Sequence, residues 1–94
     1  MTSIPFNRLV RFTDIDNKGG NQLVLIDNIP ASKRGFHSGG ALSFGKDDKL
    51  YITVGDMASD IAHQQDPVNV LGKVLRINRD GTIPSDNPYP NSPV

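Results

Sequence analysis

The sequence predicts an all-β fold of short strands joined by many turns, and two features of its composition carry this prediction. Asp, Asn, Gly, Pro and Ser account for 41 of the 94 residues, and these residue types favour turns. Val, Ile, Leu and Phe account for 26 residues, which is more than a disordered chain contains. A chain of this length buries only about 60–65% of its unfolded surface, so we expect it to form part of a larger all-β array.

The first two strands are expected at residues 7–13 and 22–26. The first combines β-branched and aromatic residues in loose alternation, which is typical of a strand. The second is a continuous apolar run and predicts a strand that is covered on both faces. The polar residues 14–21 should form the turn between them, and Pro30 should end the second strand because proline has no amide to donate to a sheet.

The next two strands are predicted as a hairpin. Residues 41–44 and 50–54 both alternate in hydropathy, and the five residues 45–49 between them are turn formers. A fifth strand is expected at residues 73–78. The proline-rich residues 82–94 should then run as irregular surface chain.

Composition and charge argue against several classes of function. Ten Lys and Arg balance ten Asp, so the formal net charge is zero and does not favour binding to nucleic acid through its phosphates. Without cysteine the chain has no disulfide, zinc–thiolate site or catalytic thiol. No apolar run is long enough to span a membrane, and the first residues lack the pattern of a signal peptide, so the compartment is left open.

The most reactive candidate is His37, which stands among three glycines directly before the predicted hairpin. Gly35, Gly39 and Gly40 allow positive φ angles or the close approach of a flat ligand. An imidazole, with an unperturbed pKa near 6.5, suits proton abstraction at neutral pH. A histidine that is simply hydrogen-bonded in a tight loop is the alternative, and the other histidine, His63, is expected to be solvated.

The long irregular connection at residues 55–72 carries two further candidates, Asp56 and Gln65. Asp56 follows the predicted hairpin, where its carboxylate either accepts turn amides or faces a ligand. Gln65 offers its amide to a sugar or to the backbone, and connections of this length are often functional. Spacing alone does not decide between these roles.

A calcium-binding surface module is one alternative, based on the Asp-rich loops. Asp14 and Asp16 have the spacing of the first half of a calcium loop, but Lys18 and Leu25 occupy positions that need oxygen ligands. A solvated hairpin turn explains this segment better.

Four segments form the most distinctive pattern of the chain: residues 35–40, 42–56, 65–66 and 71–88. In order and spacing they resemble the glucose/sorbosone dehydrogenase family, the soluble aldose sugar dehydrogenases that use pyrroloquinoline quinone (PQQ). The resemblance implies a β-propeller fragment of about one and a half four-stranded blades. Residues 1–34 would end one blade, and residues 35–94 would begin the next blade with its connecting loops.

The same resemblance implies oxidation of an aldose anomeric hydroxyl to a lactone. His37 would be the catalytic base, Gly39 and Gly40 would bind the cofactor, and Gln65 and Asp56 would contact the sugar. A calcium ion would polarise the quinone. Most ligands of PQQ and calcium would lie outside this chain, so the isolated piece is expected to be inactive.

A non-enzymatic binding module derived from a propeller is the main alternative to an enzyme fragment. Part of a propeller exposes strand edges, which invite pairing with another copy or with missing chain. The expected partners are therefore a small sugar and a strand edge, with no nucleic acid and no membrane span.

Overall fold

Five strands form two antiparallel sheets in the parts of the chain that the structure describes, which are residues 6–31, 39–55 and 69–94. The structure is a computed structural model. The first sheet pairs β1 (Phe6–Ile15) with β2 (Lys18–Pro30), and the second has the order β3 (Gly39–Phe44), β4 (Leu50–Val54), β5 (Lys73–Ile77). No helix occurs in these three ranges, and thus none that could cross a membrane. The all-β prediction is confirmed.

A two-residue turn joins β1 and β2, and it is much shorter than the turn predicted at residues 14–21. Asp16 and Asn17 both have positive φ, 52° and 65°, as a tight hairpin turn of type I′ requires. The amide of Asn17 donates a hydrogen bond to Oδ1 of Asp14 at 2.9 Å. Residues 18–21 therefore belong to β2, and the prediction was wrong because a polar, glycine-rich stretch also suits an exposed part of a hairpin.

β2 is less covered than its apolar run predicts. Leu23 and Val24 are 37% and 41% exposed, and only Leu25 and Ile26 of the run pack partly against the core. The expectation of a strand covered on both faces is wrong for the described residues, because the two-stranded sheet packs mainly through one face. The strand ends at Pro30, as predicted.

The predicted hairpin is confirmed as β3 and β4, with Leu42 opposite Ile52 and Phe44 opposite Leu50. The side chains of β4 alternate in burial, so Leu50, Ile52 and Val54 point into the core while the residues between them do not. The predicted fifth strand is confirmed as β5, which pairs with β4 along its whole length.

The core lies between the two sheets, and β4 and β5 supply most of it. Leu75 on β5 has no exposed surface, and Ile29 is the fully packed residue from the first sheet. Burying a side chain of this size stabilises the fold by about 1.5–3 kcal/mol. The buried cluster consists of Ile29, Leu50, Ile52, Val54, Leu71, Leu75 and Ile77.

The proline-rich tail is irregular, as predicted, but it is not only surface chain. The amide of Arg76 donates to the carbonyl of Pro93 at 2.6 Å, on the side of β5 that faces away from β4. Asn87 is 8% exposed, and its Nδ2 donates to the carbonyls of Arg76 and Ser92, both at 3.0 Å. The tail therefore packs along the outer edge of β5, where a further strand would pair.

Candidate functional site

The structure describes two of the five residues predicted for the site, Gly39 and Gly40. His37, Asp56 and Gln65 lie outside the described residues. Gly39 and Gly40 are the first residues of β3, and Gly39 lies against the backbone of Gly55. The candidate site is thus built on the end of the second sheet at which β3 begins and β4 ends.

Gly39 and Gly40 form a bulge that requires glycine. Gly39 lies opposite Val54 and Leu42 opposite Ile52, so β3 carries one more residue than β4 between these two pairs. The φ angles of Gly39 and Gly40 are 75° and 104°, which L side chains rarely adopt. A Cβ on Gly39 would lie 2.7 Å from the carbonyl oxygen of Thr53, whereas a Cβ on Gly40 would meet nothing within 4 Å.

Thr53 holds this bulge with its side chain. The amide of Ala41 donates a hydrogen bond to Oγ1 of Thr53 at 3.0 Å. A bulge leaves its extra residue without a backbone partner in the ladder, and the hydroxyl here supplies one. The sequence reasoning missed Thr53. The available signal was a threonine across the predicted hairpin from two adjacent glycines. This signal can be interpreted only when the register of the hairpin is known.

A cleft of about 300 Å³ opens beside the bulge, between the two sheets. Its walls include Arg8 and Leu9 of the first sheet and Gly39, Gly40 and Thr53 of the second. Because Gly40 has no side chain and faces open space, a planar ring can approach the backbone closely on this wall. The described wall of the cleft at Gly40 is therefore bare backbone.

The cation that lines this cleft is already paired. Nε and Nη2 of Arg8 donate to the two carboxylate oxygens of Asp27 at 2.9 and 3.0 Å. The hydrogen bond from Arg8, together with one from the backbone amide of Asn28, lowers the pKa of Asp27. Arg8 is thus engaged within its own sheet, and the described part of the cleft supplies backbone and shape rather than a free positive charge.

The donor set for a metal ion is missing from the residues that the structure describes. Within residues 6–31, 39–55 and 69–94, no group of three His, Cys, Asp or Glu side chains could hold an ion. The described residues therefore supply no cluster of carboxylates for a calcium ion. Asp14, which the calcium alternative used, accepts the turn amide of Asn17 instead.

A second polar cluster joins the β3–β4 turn, β5 and the tail. Arg76 contacts Oδ2 of Asp47 at 3.0 Å and Oδ1 of Asp86 at 2.7 Å. A hydrogen bond from the amide of Lys49, together with the guanidinium of Arg76, lowers the pKa of Asp47 to about 2. The bonds to Asp86 and Asp47 raise the pKa of Arg76. Because each of these charges is paired within the protein, the cluster anchors the tail.

The sequence reasoning missed this cluster because its partners are distant along the chain. Arg76 is 29 residues from Asp47 and 10 residues from Asp86. No local spacing or motif connects these positions, and the pairing becomes visible only once β5 lies beside β4.

Within residues 6–31, 39–55 and 69–94, two packed antiparallel sheets have two and three strands, whereas a complete propeller blade is a four-stranded sheet. Together with the match to solved sugar dehydrogenase structures reported below, this makes the chain a fragment of β-propeller blades. The chain belongs to the glucose/sorbosone dehydrogenase family. The profile described as Glucose / Sorbosone dehydrogenase matches residues 6–93. The predicted family and fold class are thereby confirmed.

Two curated relatives are several times longer than this chain. Quinoprotein glucose dehydrogenase B of Acinetobacter calcoaceticus is 36% identical over 88 residues, which covers 74% of this chain and 18% of that protein. An uncharacterised protein of Synechocystis sp. is 38% identical over 68 residues, which covers 63% of this chain and 16% of that protein. The chain therefore spans less than a fifth of the curated relatives that it matches.

Solved structures of sugar dehydrogenases share the fold of this chain. The PQQ-bound aldose sugar dehydrogenase of Streptomyces coelicolor superposes with a TM-score of 0.85 at 34% identity, covering 99% of this chain and 28% of that enzyme. A putative oxidoreductase (glucose dehydrogenase) of Thermus thermophilus superposes with a TM-score of 0.82 at 36% identity. This match covers 89% of this chain and 25% of that protein. Both proteins share sequence as well as fold with this chain, so they are its relatives and not merely fold analogues.

Proposed function

We propose that this chain supplies part of the active site of a PQQ-dependent sugar dehydrogenase that oxidises the anomeric hydroxyl of an aldose to a lactone. The observation that supports this most is the match along 99% of the chain to the PQQ-bound aldose sugar dehydrogenase of Streptomyces coelicolor. Because the chain spans 28% of that enzyme, we expect the 94 residues alone to be inactive. Activity would need the remainder of a propeller.

His37 is the general base in this proposal. Its neutral imidazole takes the proton of the anomeric hydroxyl, while the bulge at Gly39 and Gly40 offers the cofactor a wall without side chains. Bound PQQ would supply the acceptor for the hydride that leaves the sugar carbon. Asp56 and Gln65 would orient the sugar by hydrogen bonds to its hydroxyls.

A chimeric enzyme tests the role of His37. Residues 6–93 replace the matching segment of the Streptomyces coelicolor enzyme, and sugar-dependent dye reduction is measured with PQQ and calcium added. His37→Gln should lower kcat on the order of 10³-fold, as loss of a general base does. The matched control, His63→Gln, should leave kcat unchanged, and the 94-residue chain alone should show no turnover. An undiminished kcat in the His37→Gln chimera would overturn the proposal.

The pH dependence of the same chimera gives a second measure of the base. An imidazole must be neutral to accept a proton, so kcat should fall as the pH drops through the pKa of the base. A flat dependence between about pH 5 and 8 at saturating sugar is incompatible with His37 as the base.

An open strand edge supports a second candidate function for the isolated chain, that of a strand-pairing module. Among the described strands, none pairs with the outer edge of β3. The side chains of Leu42 and Phe44 on this strand are 55% and 56% exposed. An uncovered edge with apolar side chains invites another strand, and we propose that a second copy of this chain occupies it.

A further inference from the structure

We infer that the groove between β1 and β3 is the docking site of a β-strand that pairs with the outer edge of β1 and is supplied by the remainder of the propeller. Such a strand carries apolar side chains at alternate positions, on the face that it turns toward β3. The source of the strand rests on the proposed function, because that function makes the chain part of a larger sugar dehydrogenase.

The side chains of Leu42 and Phe44 point to the core face of the second sheet but are not covered there. Residues directly opposite each other on antiparallel strands share a face, and Leu42 lies opposite Ile52 while Phe44 lies opposite Leu50. Ile52 and Leu50 are buried, at 3% and 8% exposure, whereas Leu42 and Phe44 are 55% and 56% exposed. The core is therefore complete over β4 and incomplete over β3.

The first sheet does not extend far enough to cover β3. Its second strand, β2, lies toward the turn after β5, where a Cβ on Gly81 would meet the carbonyl oxygen of Leu25 at 3.1 Å. β1 is the strand beside β3, because residues 9–12 and 42–44 line the same groove. Within the described ranges no strand pairs with the outer edge of β1. One more strand on that edge would lie over β3.

The groove offers a strand both backbone partners and apolar contacts. It has a volume of about 480 Å³, and Leu25 and Leu50 contribute to its lining. Phe12, on the β1 side, is 54% exposed. An edge strand such as β1 presents unpaired amides and carbonyls. An added strand satisfies these groups with its backbone, while its alternate side chains fill the groove.

Two guanidinium groups define one end of the groove. Cζ of Arg79 lies 4.8 Å from the centroid of the Phe44 ring, and Nη1 of Arg11 donates to the carbonyl of Arg79 at 2.8 Å. The contact of the Arg79 cation with the aromatic face is favourable and holds this end polar. The end at Phe44 therefore suits a polar or acidic residue of the docked strand, and its apolar residues belong beside Leu42.

The remainder of a propeller is the source that fits the strand count. A complete blade has four strands, whereas the first sheet has two in the described ranges. The match to the Streptomyces coelicolor enzyme covers 28% of that enzyme, so most of a propeller of that length lies outside this chain. A strand of this origin extends the first sheet on its β1 side.

Cysteine labelling tests whether the groove is covered. The chain contains no cysteine, so Phe12→Cys and Leu42→Cys each place a single thiol on one wall of the groove. A maleimide should modify both thiols at least about tenfold more slowly in the chimera described above than in the 94-residue chain. Lys46→Cys is the matched control: Lys46 is exposed in the turn after β3, outside the groove, and should react equally in both proteins.

The labelling has three outcomes that would overturn the inference. Equal rates in the isolated chain and the chimera would show that nothing covers the groove. Slow labelling of Phe12→Cys in the isolated chain that becomes fast on dilution would show that a second copy fills the groove. Slow labelling at every dilution would show that the isolated chain already covers it.

Amide hydrogen exchange tests whether the covering segment is a strand. In the isolated chain, the β1 amides that point away from β2 should exchange almost without protection, and those bonded to β2 should exchange slowly. In the chimera both sets should exchange slowly, because the docked strand accepts hydrogen bonds from the outer set. β4 is the internal control, since it is paired on both sides in the isolated chain. Outer β1 amides that remain fast in the chimera would reject the docked strand.

The docked strand and the proposed function can fail separately. Slow labelling and slow exchange in a chimera that keeps its kcat in His37→Gln would support the strand and reject His37 as the base. Loss of kcat in His37→Gln, together with fast labelling of the groove in the chimera, would leave the proposed function in place and reject the strand.

Discussion

The carboxylate of Asp47 connects three parts of the chain. It accepts hydrogen bonds from the amide of Lys49 at 3.0 Å, from the hydroxyl of Tyr51 at 2.8 Å and from Arg76 at 3.0 Å. These bonds favour the ionised form and hold the pKa of Asp47 at about 2 instead of 3.8. A turn, β4 and β5 therefore share one charged group.

This pKa predicts how acid affects the Asp47 cluster. Because the folded state binds the proton less readily than the unfolded chain, ionised Asp47 stabilises the fold above about pH 4 and loses this effect as the pH falls toward about 2. In Asp47→Asn, urea unfolding should show a smaller loss of stability between about pH 4 and pH 2 than in the unmodified chain.

Asp48→Asn is the control for this measurement, since Asp48 is exposed and its contact with Arg79 is 3.5 Å long. This variant should lose as much stability as the unmodified chain over the same interval. Identical acid curves for Asp47→Asn and the unmodified chain would show that Asp47 contributes nothing to the acid response.

Single residues were predictable where their chemistry is local. Gly39 and Gly40 stood out because two adjacent glycines before a strand indicate unusual backbone angles, and both angles are positive. Thr53 and Arg76 could not be assigned roles in this way, because each acts on residues at least ten positions away. Neither composition nor spacing along the chain shows which residues face each other across a sheet.

At the scale of an element, the start of β3 offers a direct comparison between two glycines. A Cβ on Gly39 would collide with the backbone of Thr53 and Gly55, whereas a Cβ on Gly40 would enter open space, although both φ angles are positive. Gly39→Ala should cost about 3 kcal/mol and Gly40→Ala about 1 kcal/mol, since the strain of a positive φ is common to both and the collision is not.

Urea unfolding of the two glycine variants measures this difference. The slope against urea should remain that of the unmodified chain, so that the midpoint alone reports the change in the free energy of unfolding. Equal midpoints for Gly39→Ala and Gly40→Ala would show that the crowding at Gly39 does not restrict the start of β3.

Local pattern also decided which elements could be predicted. The β3–β4 hairpin was evident because two alternating strands flank one short turn. The β1–β2 turn was placed wrongly because residues 18–21 are polar and glycine-rich although they extend a strand. The burial of β2 was overestimated because an apolar run does not reveal how many neighbours a strand has.

At the scale of the whole molecule, the two outer edges of the second sheet differ. The tail covers β5, whereas β3 has no strand beside it in the described part of the chain. Solution scattering over a dilution series should therefore give the mass of two chains.

Leu42→Lys should reduce this mass to that of one chain, because a lysine on an edge strand opposes pairing. Val74→Lys is the matched control: Val74 is 57% exposed but lies on the covered strand, so the mass should stay at two chains. A single-chain mass for the unmodified protein at every concentration would exclude pairing through β3.

The family and the propeller fold were predictable because the pattern of residues 35–88 is long and ordered. The blade boundaries at residues 34 and 35 and the roles of His37, Asp56 and Gln65 stay predictions. They concern segments outside the described residues. Neither the composition of the chain nor the register of the described strands tests them.

The cover that the tail gives to β5 limits how large an assembly can become. The carbonyl of Pro93 accepts a hydrogen bond from the amide of Arg76, so this edge of the second sheet is covered. Two molecules joined through β3 would be related by a two-fold axis and would present a tail at both extremities of the combined sheet. Growth of the second sheet by further strand pairing would then stop at two molecules.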